Sequence, residues 1–148
     1  MTEIGFYHLT RQPLETVLPR LLEKAHAAGH RILVHCANPD QLKRLDETLW
    51  TYDDRSFLPH GSDYKELQPI LLTTSEGECA NNPDLLVALA GLDGTNFANF
   101  ARVLYLFEES DAQALSAART AWGALKSRDD VTRTYWQQDD RGRWVKKQ

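Results

Sequence analysis

Residues 31–50 read RILVHCANPDQLKRLDETLW, and the pattern of the chain changes halfway along them. Arg31 to Cys36 is apolar with almost no alternation, the mark of a strand covered on both faces, as in parallel sheets. The second half has a helical period instead. Asn38 is placed to cap a helix, Pro39 suits its first position, and Leu42, Leu45 and Leu49 form an inward stripe. Trp50 falls one position off that stripe, at the helix edge. A buried strand handed directly to an amphipathic helix is half of a βαβ unit, so a largely parallel sheet flanked by helices is expected.

The flanking sequence repeats the alternation. Ile4 to Leu9 is a short aromatic and apolar strand, followed by Leu14, Val17, Leu18, Leu21, Leu22 and Ala25 on one helical stripe that Gly29 would end. Pro19, without an N–H, should kink that helix or mark where its regular part begins. After a loop from Gly61 to Gln68, PILLTT gives a strand, Ser75 to Asp84 a connection, and Leu85 to Ala90 another strand. A turn at Gly91 and Gly94 and a short helical piece around Phe97 to Ala101 lead to a strand at Val103 to Phe107. The last long helix is expected from Asp111 to Lys126, with Leu115, Ala118, Trp122 and Leu125 at helical spacing. Thr132 to Gln137 and Arg143 to Lys146 flank a turn at Asp139 to Gly142, which predicts a C-terminal β-hairpin or at least an extended tail. The whole, residues 1–148, reads as a single Rossmann-like α/β domain with a twisted, mostly parallel sheet of five main strands.

A chain of 148 residues with 42% hydrophobic content can bury a proper core without a split into two domains. Its apolar runs are too short for a signal peptide or a membrane span, so a cytoplasmic protein is expected. Cys36, at a strand end, and Cys79, in a polar loop, have no CxxC spacing, and a reduced compartment suits both. Net charge is −4, yet from Arg119 onward eight bases stand against four acids, leaving +4 there and −8 on the rest. A basic end on an acidic body predicts a local anion site rather than a surface that grips nucleic acid everywhere.

Motifs for catalysis are missing. There is no GxxxxGK[ST], and Gly91 with Gly94 lacks the third glycine and following helix of a dinucleotide fingerprint. His35 and Cys36 are adjacent on a strand and therefore point to opposite faces, with no HxxxH or CxxC to complete a metal set. The acid pairs Asp46–Glu47, Asp53–Asp54, Asp129–Asp130 and Asp139–Asp140 sit on a helix, where neighbours diverge, or in turns, where acids cap or are solvated. No catalytic residue, metal or cofactor is assigned.

Two segments instead suggest partners. Arg119, Trp122, Gly123 and Lys126 fall at i, i+3, i+4 and i+7, so a helix would set two cations along a stripe with an indole between them. Such a socket suits an acidic peptide ending in a hydrophobic residue and a carboxylate, with Gly123 leaving room beside Trp122; the alternative is that Trp122 is core and the cations are solvated. At the other segment, Trp50 and Phe57, with Leu58 and Pro59, surround a turn. Bulky apolar groups there are either folded into the core or offered to another molecule.

GFYHL at residues 5–9, RLDETLW at 44–50, SFLPHG at 56–61 and YWQQ at 135–138, together with the chain length, carry a family likeness. The chain resembles the chi subunit of the bacterial DNA polymerase III holoenzyme across essentially its full length, with residues 62–84 contributing little. That resemblance implies a non-catalytic accessory subunit linking the clamp loader to DNA coated by single-stranded DNA-binding protein. It further implies that the acidic C-terminal tail of single-stranded DNA-binding protein binds at the C-terminal helix, where Arg119 and Trp122 match best. Gly123 stands where the family commonly has another base, so Lys126 or Arg128 would substitute. Tyr135, Trp136, Gln137 and Gln138 match the family's terminal motif, and the resemblance implies packing residues that support that site. Trp50 and Phe57 correspond to the region that meets the psi subunit or, in some bacteria, a helicase; DNA is then reached mainly through single-stranded DNA-binding protein. Two rival readings have distinct signatures. A small α/β enzyme acting on a nucleotide or other small molecule would join His35, Cys36 and acids in a deep pocket, and direct single-strand binding would show a steep salt dependence.

Overall fold

The run RILVHC forms the strand β2, Ile32–His35, within a sheet built from β1 (Thr2–Leu9), β3 (Ile70–Thr73), β4 (Leu85–Leu89), β5 (Arg102–Glu108), β6 (Val131–Gln138) and β7 (Trp144–Lys146). These elements belong to a computed structural model that describes residues 2–53, 57–75, 79–89 and 100–148. Every residue of β2, β3 and β4 is buried, as uninterrupted apolar runs require when both sheet faces are covered. The seven strands lie in the order β3-β2-β4-β5-β1-β6-β7, all neighbours parallel except the antiparallel pair β6–β7. Five strands were expected in the main sheet; the C-terminal hairpin joins it and extends it to seven, because β6 pairs in parallel with β1 along its length.

Three helices flank this sheet among the described residues: α1 (Leu14–Ala27), α2 (Pro39–Thr51) and α3 (Ala112–Ala124). The first two pack on one face, where Leu18, Leu22, Leu45 and Leu49 meet Val34, Leu72, Val87 and Leu104. On the other face, α3 meets Phe6, Val103, Tyr105 and Phe107. Its buried stripe is Ala114, Ala118 and Ala121, continued by Leu125, while Leu115 and Trp122, expected on that stripe, are only half-buried at its margin. Small side chains let the helix approach the aromatic sheet face and leave the larger ones at its rim.

Local signals are confirmed at the helix ends. Asn38 Oδ1 accepts from Gln41 N at 2.8 Å, and Pro39 occupies the first turn. Asp111 Oδ1 caps α3 by accepting from Gln113 N and Ala114 N, both at 3.1 Å. Gly29 follows α1 with φ +90°, a conformation that favours glycine. Pro19 does not mark a boundary: α1 begins at Leu14 and includes it, with the ring buried against the core. The α3 helix stops at Ala124, short of Lys126, and Leu125–Ser127 form a 3-10 turn. The turn at Gly91 and Gly94, residues 97–99 of the expected helical piece, and Asp54 lie outside the described residues. Phe100 and Ala101 are in a bend.

Candidate functional site

The aromatic surface is assembled where α2 ends and the chain returns to the outer edge of β3. Trp50 is 53% exposed and Phe57 72% exposed, with ring centroids 5.9 Å apart. Leu49 and Leu58, their neighbours in sequence, turn inward and close the core. Of the four residues grouped here on sequence, Trp50 and Phe57 are therefore exposed, Pro59 is intermediate, and Leu58 is core. Beyond them Gly61 N donates to Ile70 O and Leu72 N to Gly61 O, which pins the segment along β3.

His60 is the post that holds the pair, and its role was not evident from sequence. It is 5% exposed, its Nδ1 lies 2.7 Å from Leu58 O, and its Nε2 lies 3.2 Å from both Asp46 O and Asp46 Oδ1. Trp50 rests on the His60 ring with centroids 4.6 Å apart. Two exposed side chains are thus positioned by a buried polar one. Tyr64 and Leu67, 77% and 75% exposed, add apolar surface to the same stretch of chain before β3. Nothing within SFLPHG marks this role, because the Asp46 contacts come from α2, 14 residues earlier.

The C-terminal surface is built differently. Trp122 meets Phe6 edge-on at 5.2 Å and Tyr135 edge-on at 5.7 Å. Its outer face is covered by Arg133, whose guanidinium carbon lies 4.0 Å from the ring centroid and whose Nη1 donates to Trp122 O at 2.6 Å. Trp122 is therefore core on one side and sits under a cation on the other. The cation is Arg133, absent from the predicted set. Period 2 along β6 puts Arg133 on the same side as Tyr135 and Val131, facing α3, so the clue lay in the strand and not in the helix stripe.

The predicted cations have distinct surroundings. Arg119 is exposed on α3 and close enough to influence His8 and Tyr135 electrostatically. Lys126 is exposed on the 3-10 turn, so it no longer follows the helical i+7 direction. Arg128 is engaged with Asp130, Nε to Oδ1 at 3.1 Å and Nη2 to Oδ2 at 2.8 Å, which offsets its charge locally. A Cβ placed on Gly123 would meet nothing within 4 Å, so the space beside Trp122 is open.

Below this surface His8 stacks on Phe107 at 4.9 Å, and its Nδ1 is 2.8 Å from Tyr135 Oη. Burial is the main cause that lowers the His8 pKa; Glu109 opposes it and Arg119 adds to it. Burial likewise raises the Tyr135 phenol. A neutral His8 bonded to a neutral Tyr135 supports Trp122 from beneath.

Several of the residues weighed for an enzyme have other engagements. Cys36 is fully buried and its thiol is pushed up to about 12 by burial, which removes it as a nucleophile. Asp46 holds His60, Asp53 lies 3.9 Å from Arg20, and Asp130 pairs with Arg128. Asp139 Oδ1 accepts from Arg141 N and Arg143 N in the hairpin turn, while Asp140 pairs with Arg11 at 2.6 Å. Among the described residues no group of three or more His, Cys, Asp or Glu is placed to hold a metal, and no helix is long and apolar enough to cross a membrane.

Residues 1–132 match the family model for the DNA polymerase III chi subunit, HolC. The chain is 33% identical over 117 residues to the DNA polymerase III subunit chi of Pseudomonas aeruginosa, covering 76% of this chain and 81% of that protein. It is 29% identical over 91 residues to the Escherichia coli subunit chi, covering 60% of this chain and 59% of the other. A probable subunit chi from Rickettsia prowazekii is also 29% identical, over 96 residues, or 63% of this chain and 58% of that one. The family match takes in Trp50, Phe57, Arg119 and Trp122; it ends before Arg133 and before the YWQQ segment.

Proposed function

The chain belongs to the DNA polymerase III chi subunit family, and from that premise we propose that it is a non-catalytic accessory subunit working in the cytoplasm. It joins the clamp-loader complex to single-stranded DNA-binding protein during replication. Its contact with DNA in this role is mainly indirect, through the protein that coats it.

The observation that carries the reading is the half-buried Trp122 beside open space at Gly123, with Arg133 over its ring and Arg119 exposed one turn earlier. An acidic tail ending in a hydrophobic residue would lay that side chain in the gap and its carboxylates against the two arginines, as charge-assisted hydrogen bonding favours. Lys126 supplies a third cation. The exposed Trp50 and Phe57 form the second contact, for the psi subunit or another clamp-loader component, and aromatic anchors of this kind dominate interface energetics.

Calorimetric titration with the C-terminal peptide of single-stranded DNA-binding protein is the test, with and without its last residue. Binding that weakens on loss of that residue and on Arg119→Glu is expected; no heat with the intact peptide sinks the tail reading. Gly123→Lys adds a cation where no atom obstructs the new Cβ and should tighten the peptide several-fold. Co-purification with psi or clamp-loader proteins tests the other surface. Undiminished association of folded Trp50→Ala and Phe57→Ala variants would count against those anchors.

A further inference from the structure

The face of the sheet that carries α1 is covered only in part. α1 packs on β2 and β5. Past it, β1, β6 and β7 bear Tyr7, Trp136 and Trp144 around a hollow of about 310 Å³ whose floor includes Leu104 and whose α1 wall includes Leu21. A second hollow of about 200 Å³ adjoins it and shares Tyr7, Arg102 and Trp136. All three aromatics are half-buried: Tyr7 and Trp144 pack against the core, and Trp136 lies beside Tyr7.

Their arrangement is fixed by sequence neighbours. Tyr7 and Trp136 are directly opposite in the β1–β6 register, and their rings are nearly parallel, 7° apart in plane with centroids 6.2 Å apart. Tyr7 reclines over Gly5: a Cβ there would come within 2.7 Å of Tyr7 Cε2, so glycine is what admits the ring. Trp136 leans the same way, with its Nε1 donating to Thr134 Oγ1 at 2.9 Å. Trp144 meets Tyr7 edge-on at 5.1 Å. The result is a row of aromatic surface across three adjacent strands.

Cations surround the row. Lys24 and Arg102 line the larger hollow, and Lys146 is paired with Trp136 in the β6–β7 register, which puts it on the same side of the sheet. All three are exposed, and none enters an ion pair among the described residues. Of the nearby acids, Asp84 is taken up by His30 at 2.6 Å, and Glu3 lines the smaller hollow directly opposite Arg102 in the β1–β5 register, leaving Lys24 and Lys146 as the surplus of charge. The local balance is positive although the chain as a whole carries −4.

We infer that this open face binds a single-stranded polynucleotide, with bases stacked on Tyr7, Trp136 and Trp144 and phosphates held by Lys24, Arg102 and Lys146. Flat rings repeated across neighbouring strands and edged by cations match a strand of unstacked bases, since every base has a π-face and every link a charge. A duplex has no free base faces to offer. The site lies on the opposite sheet face from Trp122, and Trp136, Trp144 and Lys146 fall beyond the residues matched by the family model. It therefore stands independently of the tail-binding proposal.

Fluorescence anisotropy of labelled oligothymidylate and oligouridylate of equal length, titrated with the full chain at several salt concentrations, tests the inference. Binding of either is expected, with log K falling against log salt at a slope of about −2, from three phosphate contacts at roughly 0.7 each. Arg102→Glu should weaken binding and flatten that slope by about 0.7 or more. Trp136→Ala should weaken it about tenfold with the slope kept, and Trp136→Phe should restore most of the loss. Lys43→Glu, on the exposed side of α2, should change nothing. No binding of either oligonucleotide at low salt overturns the inference, and so does binding indifferent to Arg102→Glu and Trp136→Ala. Displacement of the oligonucleotide by an acidic peptide whose own affinity depends on Trp136 would make the face a peptide site instead.

Discussion

Trp50 and Trp122 each lie near the C-terminal end of a helix, one on either face of the sheet, and they have opposite fates. Trp50 is 53% exposed, leans on one buried histidine, and has Phe57 beside it. Trp122 is wedged between Phe6 and Tyr135 and roofed by Arg133. The first contributes little to the fold and is available for a dry, apolar partner. The second is a structural part whose charged rim suits an anion. A tryptophan in a family motif therefore does not announce its role; what lies above and below its ring does.

The widest separation between the two should come from truncation. Trp122→Ala is expected to cost about 3 kcal/mol in urea unfolding, the low end of the range for a large aromatic because the side chain is only half-buried. Trp50→Ala should change stability by no more than about 0.5 kcal/mol while costing about 2 kcal/mol or more of partner affinity. Equal stability losses would erase the distinction. Next in size, His60→Ala should destabilise by about 2 kcal/mol, because it leaves Leu58 O and Asp46 without the buried ring that contacts them. It should also loosen Trp50, read as a changed fluorescence maximum.

Arg133→Ala is expected to cost about 1.5 kcal/mol, from a charged hydrogen bond and a cation over the indole. Arg133→Lys should recover only part, since an ammonium cannot both cover the ring and reach Trp122 O with the planar fork. The smallest effect is a pH dependence. His8 is lowered from 6.5 by burial, so the unfolded chain takes up a proton first as pH falls. Stability should then decline as pH drops through 6.5 towards the lower folded value and be flat above it. His8→Gln should remove that decline in unfolding curves measured from pH 5 to 8.

Much of the architecture was legible because its causes are local. Asn38 before Pro39, the Leu42–Leu45–Leu49 stripe and the unbroken apolar runs of β2, β3 and β4 each specify an element within a few residues. Pairing across long separations left no such trace. That β6 lies beside β1 depends on packing between residues more than a hundred positions apart. The helix stripe was legible only in part, since Ala118 and Leu125 are buried as expected while Leu115 and Trp122 are half-buried. Alanines at 114, 118 and 121 are too small to dominate a hydrophobic pattern, yet they are what lets α3 approach the sheet, leaving Leu115 and Trp122 at the margin. Of the site residues, the offset of Trp50 from the leucine stripe put it at the helix edge with its exposure left open, and the inward turn of Leu58 left no sign at all.

The position of β1 between β5 and β6 sets a timetable for synthesis. Its two neighbours are residues 102–108 and 131–138, so this strand, with Ile4 and Phe6 destined for full burial, leaves the ribosome long before either exists. At a translation rate of about 5–20 residues per second, Leu9 waits roughly 6–26 s for Gln138. Before β5 is made, β2, β3 and β4 can already assemble with α1 and α2 while β1 stays unpaired, and from β5 to β6 one edge of β1 remains open. The first strand to be made is thus closed in on both edges only when β6 arrives, and its aromatic segment GFYHL waits through most of synthesis for that cover.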